Sequence, residues 1–316
     1  GSIEPLKYLR QNYLAWSKLE EAEDLSRREQ TEQARALFQE AAGLFVEAKG
    51  AVKTKFESLT LADEREMAVR LLDASDMRRE YCLARGIIEE AKILDRQGDC
   101  ATSAEKYGES AERFRKITEA ASEQTRQELR PILFLCQAWQ KMMMAEAKTS
   151  SVLYAEAAEL FRQAKEHTVD RLTSLMASAN SSFCKALEAG TEFEVIRDLE
   201  SYSNAKKHMD AAAECYLKAG YENASEYARA TNKLFDAYMF MHKAETETEP
   251  QKRAQYYRMA EEVLQASANL FIKAKYAEKS KEVQRLLESV KEEHQLALSL
   301  THVLHAPTVA ATTTSF

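Results

Sequence analysis

Glu156-Ala157-Ala158-Glu159-Leu160-Phe161-Arg162-Gln163-Ala164 decides the fold, because four other stretches line up with it without gaps. They are Glu40-Ala41-Ala42-Gly43-Leu44-Phe45-Val46-Glu47-Ala48, Glu109-Ser110-Ala111-Glu112-Arg113-Phe114-Arg115-Lys116-Ile117, Ala211-Ala212-Ala213-Glu214-Cys215-Tyr216-Leu217-Lys218-Ala219 and Ala266-Ser267-Ala268-Asn269-Leu270-Phe271-Ile272-Lys273-Ala274. Each has a small residue, an aromatic four positions later and a small or apolar residue three after that. On an α-helix these three share one face. Small residues let a neighbouring helix approach closely, and the aromatic fills the space between successive hairpins. All five aromatics, Phe45, Phe114, Phe161, Tyr216 and Phe271, are therefore expected to be buried.

Outward from these seams the whole chain reads as helix. It has only 8 Gly and 4 Pro in 316 residues, and is 45% hydrophobic and 30% charged. No segment alternates with period two over β-branched residues, so no strand is expected. Helical periodicity places elements at about 5–28, 31–58, 62–97, 101–118, 122–148, 151–167, 169–189, 192–219, 222–246, 250–275 and 277–304. Gly98, Gly190 and Gly220 fall where a helix would end. Pro250 falls where one would begin, its missing N–H costing nothing there. Pro131 should kink its helix or split it in two. Connections of a few residues force neighbouring helices antiparallel. The expected fold is all-α, a row of antiparallel helical hairpins.

The small–aromatic–small seam, Ala41/Phe45/Ala48 in the first copy, resembles the second helix of a tetratricopeptide repeat. Gly98-Asp99 resembles the turn joining the two helices of such a repeat. The copies begin 69, 47, 55 and 55 residues apart, against about 34 for a standard unit, and the Trp and Leu-Gly signature of the first helix is missing. Long helices with irregular spacing look more like the elongated SNAP-type adaptors. The resemblance implies a tetratricopeptide-like α-solenoid with elongated helices over residues 3–305. Residues 1–2 read as a remnant of tag removal, and 306–316, rich in Thr, Ala and Pro, as a linker towards a further C-terminal region.

The formal net charge is −7 with no long basic run, which disfavours nucleic acid as the main partner. Five cysteines stand far apart with no Cys-x-x-Cys pair, the pattern of reduced thiols in a cytoplasmic protein. No apolar run approaches the roughly 20 residues that cross a bilayer. The phosphate-binding glycine loops and the nucleophile elbow are absent, as are His-Glu-x-x-His and zinc-finger spacings. No catalytic residue, metal or cofactor is expected, and the chain does not read as an enzyme. His294, His302 and His305 crowd the last helix. His302 and His305 share a face that a metal could use, but histidines near a helix C-terminus also suit the macrodipole.

Two surfaces are candidates for a partner. Arg171, Ser174, Ser178, Ser181 and Lys185 form one row on their helix, opposite Leu172, Leu175, Met176, Ala179, Phe183 and Leu187, which read as its core stripe. Arg229, Asn232, Lys233 and Asp236 form a similar row two helices on, and Arg126, Arg130, Gln137 and Lys141 an earlier one. Ordinarily such rows are solvated faces. On hairpin mates of the seam helices, which line the concave side of tetratricopeptide-like arrays, they would make a donor-rich groove for an acidic or extended peptide. For Ser178 and Ser181 the plainer reading is close helix packing, with hydroxyls bonded one turn back. Met142-Met143-Met144 beside Trp139 is the second candidate, since three consecutive side chains cannot all face one core. The sequence therefore points to a protein- or peptide-binding scaffold or adaptor within a longer polypeptide. The alternative is a regulatory or sensor domain controlling a C-terminal effector.

Overall fold

The computed structural model describes residues 3–305, with side chains from 7 to 301. The reading of residues 1–2 and 306–316 lies outside the described residues, as do the side chains of His302 and His305. Eleven helices follow one another: α1 (Ile3–Arg27), α2 (Thr31–Phe56), α3 (Ala62–Arg96), α4 (Cys100–Ala120), α5 (Glu123–Lys148), α6 (Ser151–Glu166), α7 (Arg171–Ile196), α8 (Leu199–Lys218), α9 (Glu222–Thr246), α10 (Pro250–Lys273) and α11 (Ala277–His305). Among the described residues there is no strand. Each helix packs mainly on its neighbours in sequence, so the molecule is an all-α solenoid of helical hairpins.

Short polar side chains start the helices. Asp99, Ser122, Ser150, Asp170 and Asp198 each accept the amide of the residue three positions on, which satisfies a donor the helix leaves unpaired. Gly98 and Gly220 take positive φ, +80° and +83°, at the ends of α3 and α8. Glu29, Thr149, Arg197 and Lys275 do the same at four other helix ends.

The five seam aromatics are all buried. Phe45, Phe114, Phe161 and Phe271 are fully enclosed, and Tyr216 is buried. Each meets an aromatic from the preceding odd-numbered helix. The pairs are Trp16–Phe45 at 6.1 Å between ring centroids, Tyr81–Phe114 at 5.7 Å, Trp139–Phe161 at 6.2 Å, Phe183–Tyr216 at 6.5 Å and Tyr227–Phe271 at 5.0 Å, all edge to face. That arrangement sets the positive ring edge against the negative face of its partner.

One expectation about breakers needs correcting. Gly190 does not end a helix: α7 runs through it to Ile196. A Cβ at Gly190 would lie 2.5 Å from Phe235 Cε1, so the glycine is there to admit the ring, and the break falls at Arg197-Asp198. Of the two outcomes open at Pro131, the split is not the one taken, since α5 is continuous from Glu123 to Lys148.

The array curls back on itself. Glu29, at the end of α1, accepts the backbone amides of Asn223 and Ala224 at 2.8 and 3.2 Å, capping α9. The Tyr276 hydroxyl donates to Asp95 at 2.9 Å, and Lys279 of α11 reaches Glu146 of α5 at 2.9 Å. These polar contacts bring the last hairpin over the first half of the chain.

Candidate functional site

Curling encloses a cavity of about 590 Å³ on the concave side, walled mainly by α1, α3, α5, α7 and α9. Its apolar wall comes from Ile132, Leu135, Trp139, Met142 and Met143 of α5 and from Leu172, Met176, Phe183 and Leu187 of α7. Met143 is buried, while Met142, Met176 and Leu187 are half-buried. The stripe expected to be the core of α7 is thus largely the wall of the cavity. Tyr81, Trp139, Phe183 and Tyr227 serve twice, since each pairs with a seam aromatic and also lines the cavity.

One flank is a locked ionic network. Arg85 forks onto Glu23 through Nε at 2.8 Å and a terminal nitrogen at 2.6 Å, and the Tyr81 hydroxyl donates to the same carboxylate at 2.9 Å. Burial pushes the Glu23 carboxyl up, but the guanidinium and these hydrogen bonds outweigh it and the net direction is down. Behind it, Glu89 is fully buried and accepts from Ser26 at 2.6 Å and Lys92 at 2.8 Å through one oxygen. Its Oε2 has no hydrogen-bond partner.

The opposite flank holds Asp95 and Glu146. Burial raises the Glu146 carboxyl, yet Lys279 and the Tyr154 hydroxyl, 2.5 Å away, pull it below its ordinary value. Among the described residues Asp95 keeps only the Tyr276 hydroxyl, and burial carries its carboxyl up to about 6. Between the flanks, the Tyr216 hydroxyl donates to Asn180 Oδ1 at 2.6 Å.

None of the residues expected in a donor-rich groove lines this cavity. Arg171 and Lys185 are exposed, and Ser174 and Ser178 half-buried. Ser181 is buried and donates to the carbonyl of Ala158 on α6 at 3.0 Å, across the helix pair and not one turn back. Asn232 donates to Asp210 on α8, Arg229 approaches Glu226 at 3.7 Å, and Lys233 is exposed. Lys141 pairs with Glu156 on α6 at 2.6 Å, and Arg130 lies over the Phe134 ring. Ser181, Lys141 and Asn232 thus engage the even-numbered helices. The Met142–Met144 cluster does reach the cavity, through its first two members.

His294 Nδ1 lies 2.6 Å from Glu261 Oε1. Among the described residues no cluster of three or more His, Cys, Asp or Glu stands at metal-binding distance. All five cysteines are unpaired, and among the described residues no helix is long and apolar enough to cross a membrane. No family model matches the chain, nor does any curated protein or solved structure.

Proposed function

We propose that the chain is a protein- or peptide-binding scaffold of the tetratricopeptide-like kind, with the concave cavity as its docking site. One observation carries this reading. The concave face of α5 and α7 is apolar and aromatic where no further helix covers it, and it is walled by thioether and ring side chains. Methionine adapts its shape to what it contacts, and an apolar pocket with a few fixed polar groups is the usual form of a binding site. Free thiols in all five positions support a reducing, cytoplasmic setting. We assign the chain no reaction.

The size of the cavity favours one second reading, a sensor domain whose small ligand fills it and controls an effector elsewhere in the polypeptide. A volume of about 590 Å³ lies within the roughly 300–1,000 Å³ range of small-molecule sites.

The test is selection of peptides from a displayed random library on the immobilised chain, repeated on Leu172→Asp. Leu172 is 40% exposed and lines the cavity, and an acid in the first turn of α7 suits the helix dipole, so the variant should fold. Peptides enriched on wild type should lose binding about tenfold or more on the variant, the worth of one buried apolar side chain. Charge reversal at Arg229 and Lys233 should leave their binding unchanged. Peptides that ignore Leu172→Asp would place the site elsewhere.

A further inference from the structure

The end of the cavity between the C-terminal turn of α3 and the α10–α11 connection differs from its apolar wall. Four rings gather there. Tyr107 and Trp139 have centroids 5.5 Å apart, and Tyr227 and Tyr276 meet edge to face at 4.5 Å. Two carboxylates, Asp95 and Glu146, line the same cavity. They are unequally satisfied. Glu146 already has an ammonium partner in Lys279 at 2.9 Å. Asp95 has one hydrogen bond, from Tyr276, and no ion pair among the described residues. Its neighbour Arg96 donates instead to the carbonyl of Glu29 at 3.3 Å. Asp95, Tyr227 and Tyr276 are half-buried, each keeping part of its surface open.

A carboxylate without a counter-ion beside aromatic faces discriminates by charge. Ring faces are electrically negative and attract cations, Trp most strongly. An anion meets both the acid and the rings unfavourably, and a neutral group gains only apolar burial. A cation gains a charge-assisted hydrogen bond as well. The adjoining wall of Trp139, Met142 and Met143 accommodates an alkyl stem. We propose that this end of the cavity binds an organic cation on an apolar stem, the chemistry of a Lys or Arg side chain in the docked peptide. The inference rests on the cavity being the docking site.

The protonation of Asp95 gives the proposal a pH signature. Burial raises its carboxyl to about 6, with the charge of Glu146 adding to burial and Tyr276, Lys279 and Arg96 opposing it. The other groups that face it, Tyr107, Tyr227 and Cys100, have their own pKa values pushed up by burial. They stay neutral from pH 5 to 8. Cation binding needs the ionised acid, so affinity should fall as pH drops through 6.

The experiment is calorimetric titration of the intact chain with hexylammonium, hexanol and hexanoate, at about pH 7.5 and again at about pH 5. Hexylammonium should bind about tenfold tighter than hexanol at the higher pH, with hexanoate weakest, and should lose most of that preference at the lower. Asp95→Asn should abolish the preference and, by removing a poorly paired buried charge, raise the melting temperature at the higher pH. A wild-type hexylammonium-to-hexanol ratio near one overturns the proposal without need of any variant. So does an Asp95→Asn protein that melts lower and keeps the wild-type ratio, the mark of a purely structural acid. If peptides selected on the cavity still depend on Leu172 while the cation preference is missing, only this inference falls. If neither appears, the docking site falls with it.

Discussion

At the scale of single residues, two glycines in helix interiors look alike in sequence and differ in consequence. A methyl group at Gly190 of α7 would strike the Phe235 ring at 2.5 and 3.0 Å. Phe235 is itself buried in the α7–α9 core, and the ring has nowhere to go. Gly108 of α4 is obstructed as closely, but only by the terminal amide of Gln140, which can swing aside. Both substitutions to alanine improve helix propensity by about 0.5–1 kcal/mol. Overpacking against a fixed ring costs about 1–3 kcal/mol. Denaturant titration should therefore find Gly190→Ala destabilised by roughly 1–2 kcal/mol and Gly108→Ala unchanged or slightly stabilised. Equal effects at both positions would mean that the ring of Phe235 is free to move.

Among the elements, the turns repeat more faithfully than the helices do. The residue at positive φ is followed by an amide bonded back to the carbonyl five positions earlier after α1, α3, α5, α8 and α10, as in Asp99 to Leu94 at 3.0 Å, Tyr221 to Tyr216 at 2.9 Å and Tyr276 to Phe271 at 2.9 Å. Five residues after the positive-φ position, Ser103, Ser225 and Ser280 each donate to a carbonyl on the preceding helix at 2.9 Å. Two of these turns use glycine. The third holds Lys275 at φ +67°, a conformation costing an L-residue about 1–2 kcal/mol. Lys275→Gly should raise stability by about 0.5–1 kcal/mol, measurable as a later denaturation midpoint at unchanged slope.

This is also the scale at which legibility in sequence divides. The seam of the even-numbered helices was readable because small–aromatic–small is a local pattern of nine residues. Nothing in the sequence marks Trp16, Tyr81, Trp139, Phe183 and Tyr227 on the odd-numbered helices as its ring partners, although Phe183 reads as core and Trp139 as neighbour to the methionines. Their distance to the seam varies with the lengths of the helices between, so no fixed spacing marks them. The stripe of α7 divides for a related reason: Ala179 and Phe183 are buried core, while Leu172, Met176 and Leu187 are cavity wall. Leu172, Met176, Phe183 and Leu187 look like a core stripe because an apolar cavity wall and a core obey the same periodicity. What separates them is a neighbour that stays away, and a sequence does not record that. Gly190 was readable as a breaker but not as a gap for a ring contributed by α9.

Across the whole molecule, the decisive feature is how slender the closure is. Neighbouring helices share extensive contact, whereas α11 barely touches α3. The ring is fastened by Glu29 on the α9 amides, Asp95 on Tyr276 and Glu146 on Lys279. In Glu29 too, burial leads and raises the carboxyl, the α9 amides pulling the other way. Replacing Glu29 by Ala and Lys279 by Ala together should leave the hairpins folded, with helical circular dichroism unchanged. Small-angle scattering should then report a larger radius of gyration, and amide exchange should quicken at the start of α9. An unchanged radius would show that packing alone sets the curl.

Tyr276, which lines one end of the cavity, and Lys279, which pairs with Glu146 there, come from the last tenth or so of the described chain. A protein made from its N-terminus onward folds its early units first. During synthesis, then, the first ten helices stand with Glu29 already on the α9 amides, while Asp95 still lacks Tyr276 and Glu146 still lacks Lys279. That end of the cavity is completed only once α11 has left the ribosome, so a nascent chain cannot hold a ligand there in the finished geometry before this stretch is translated.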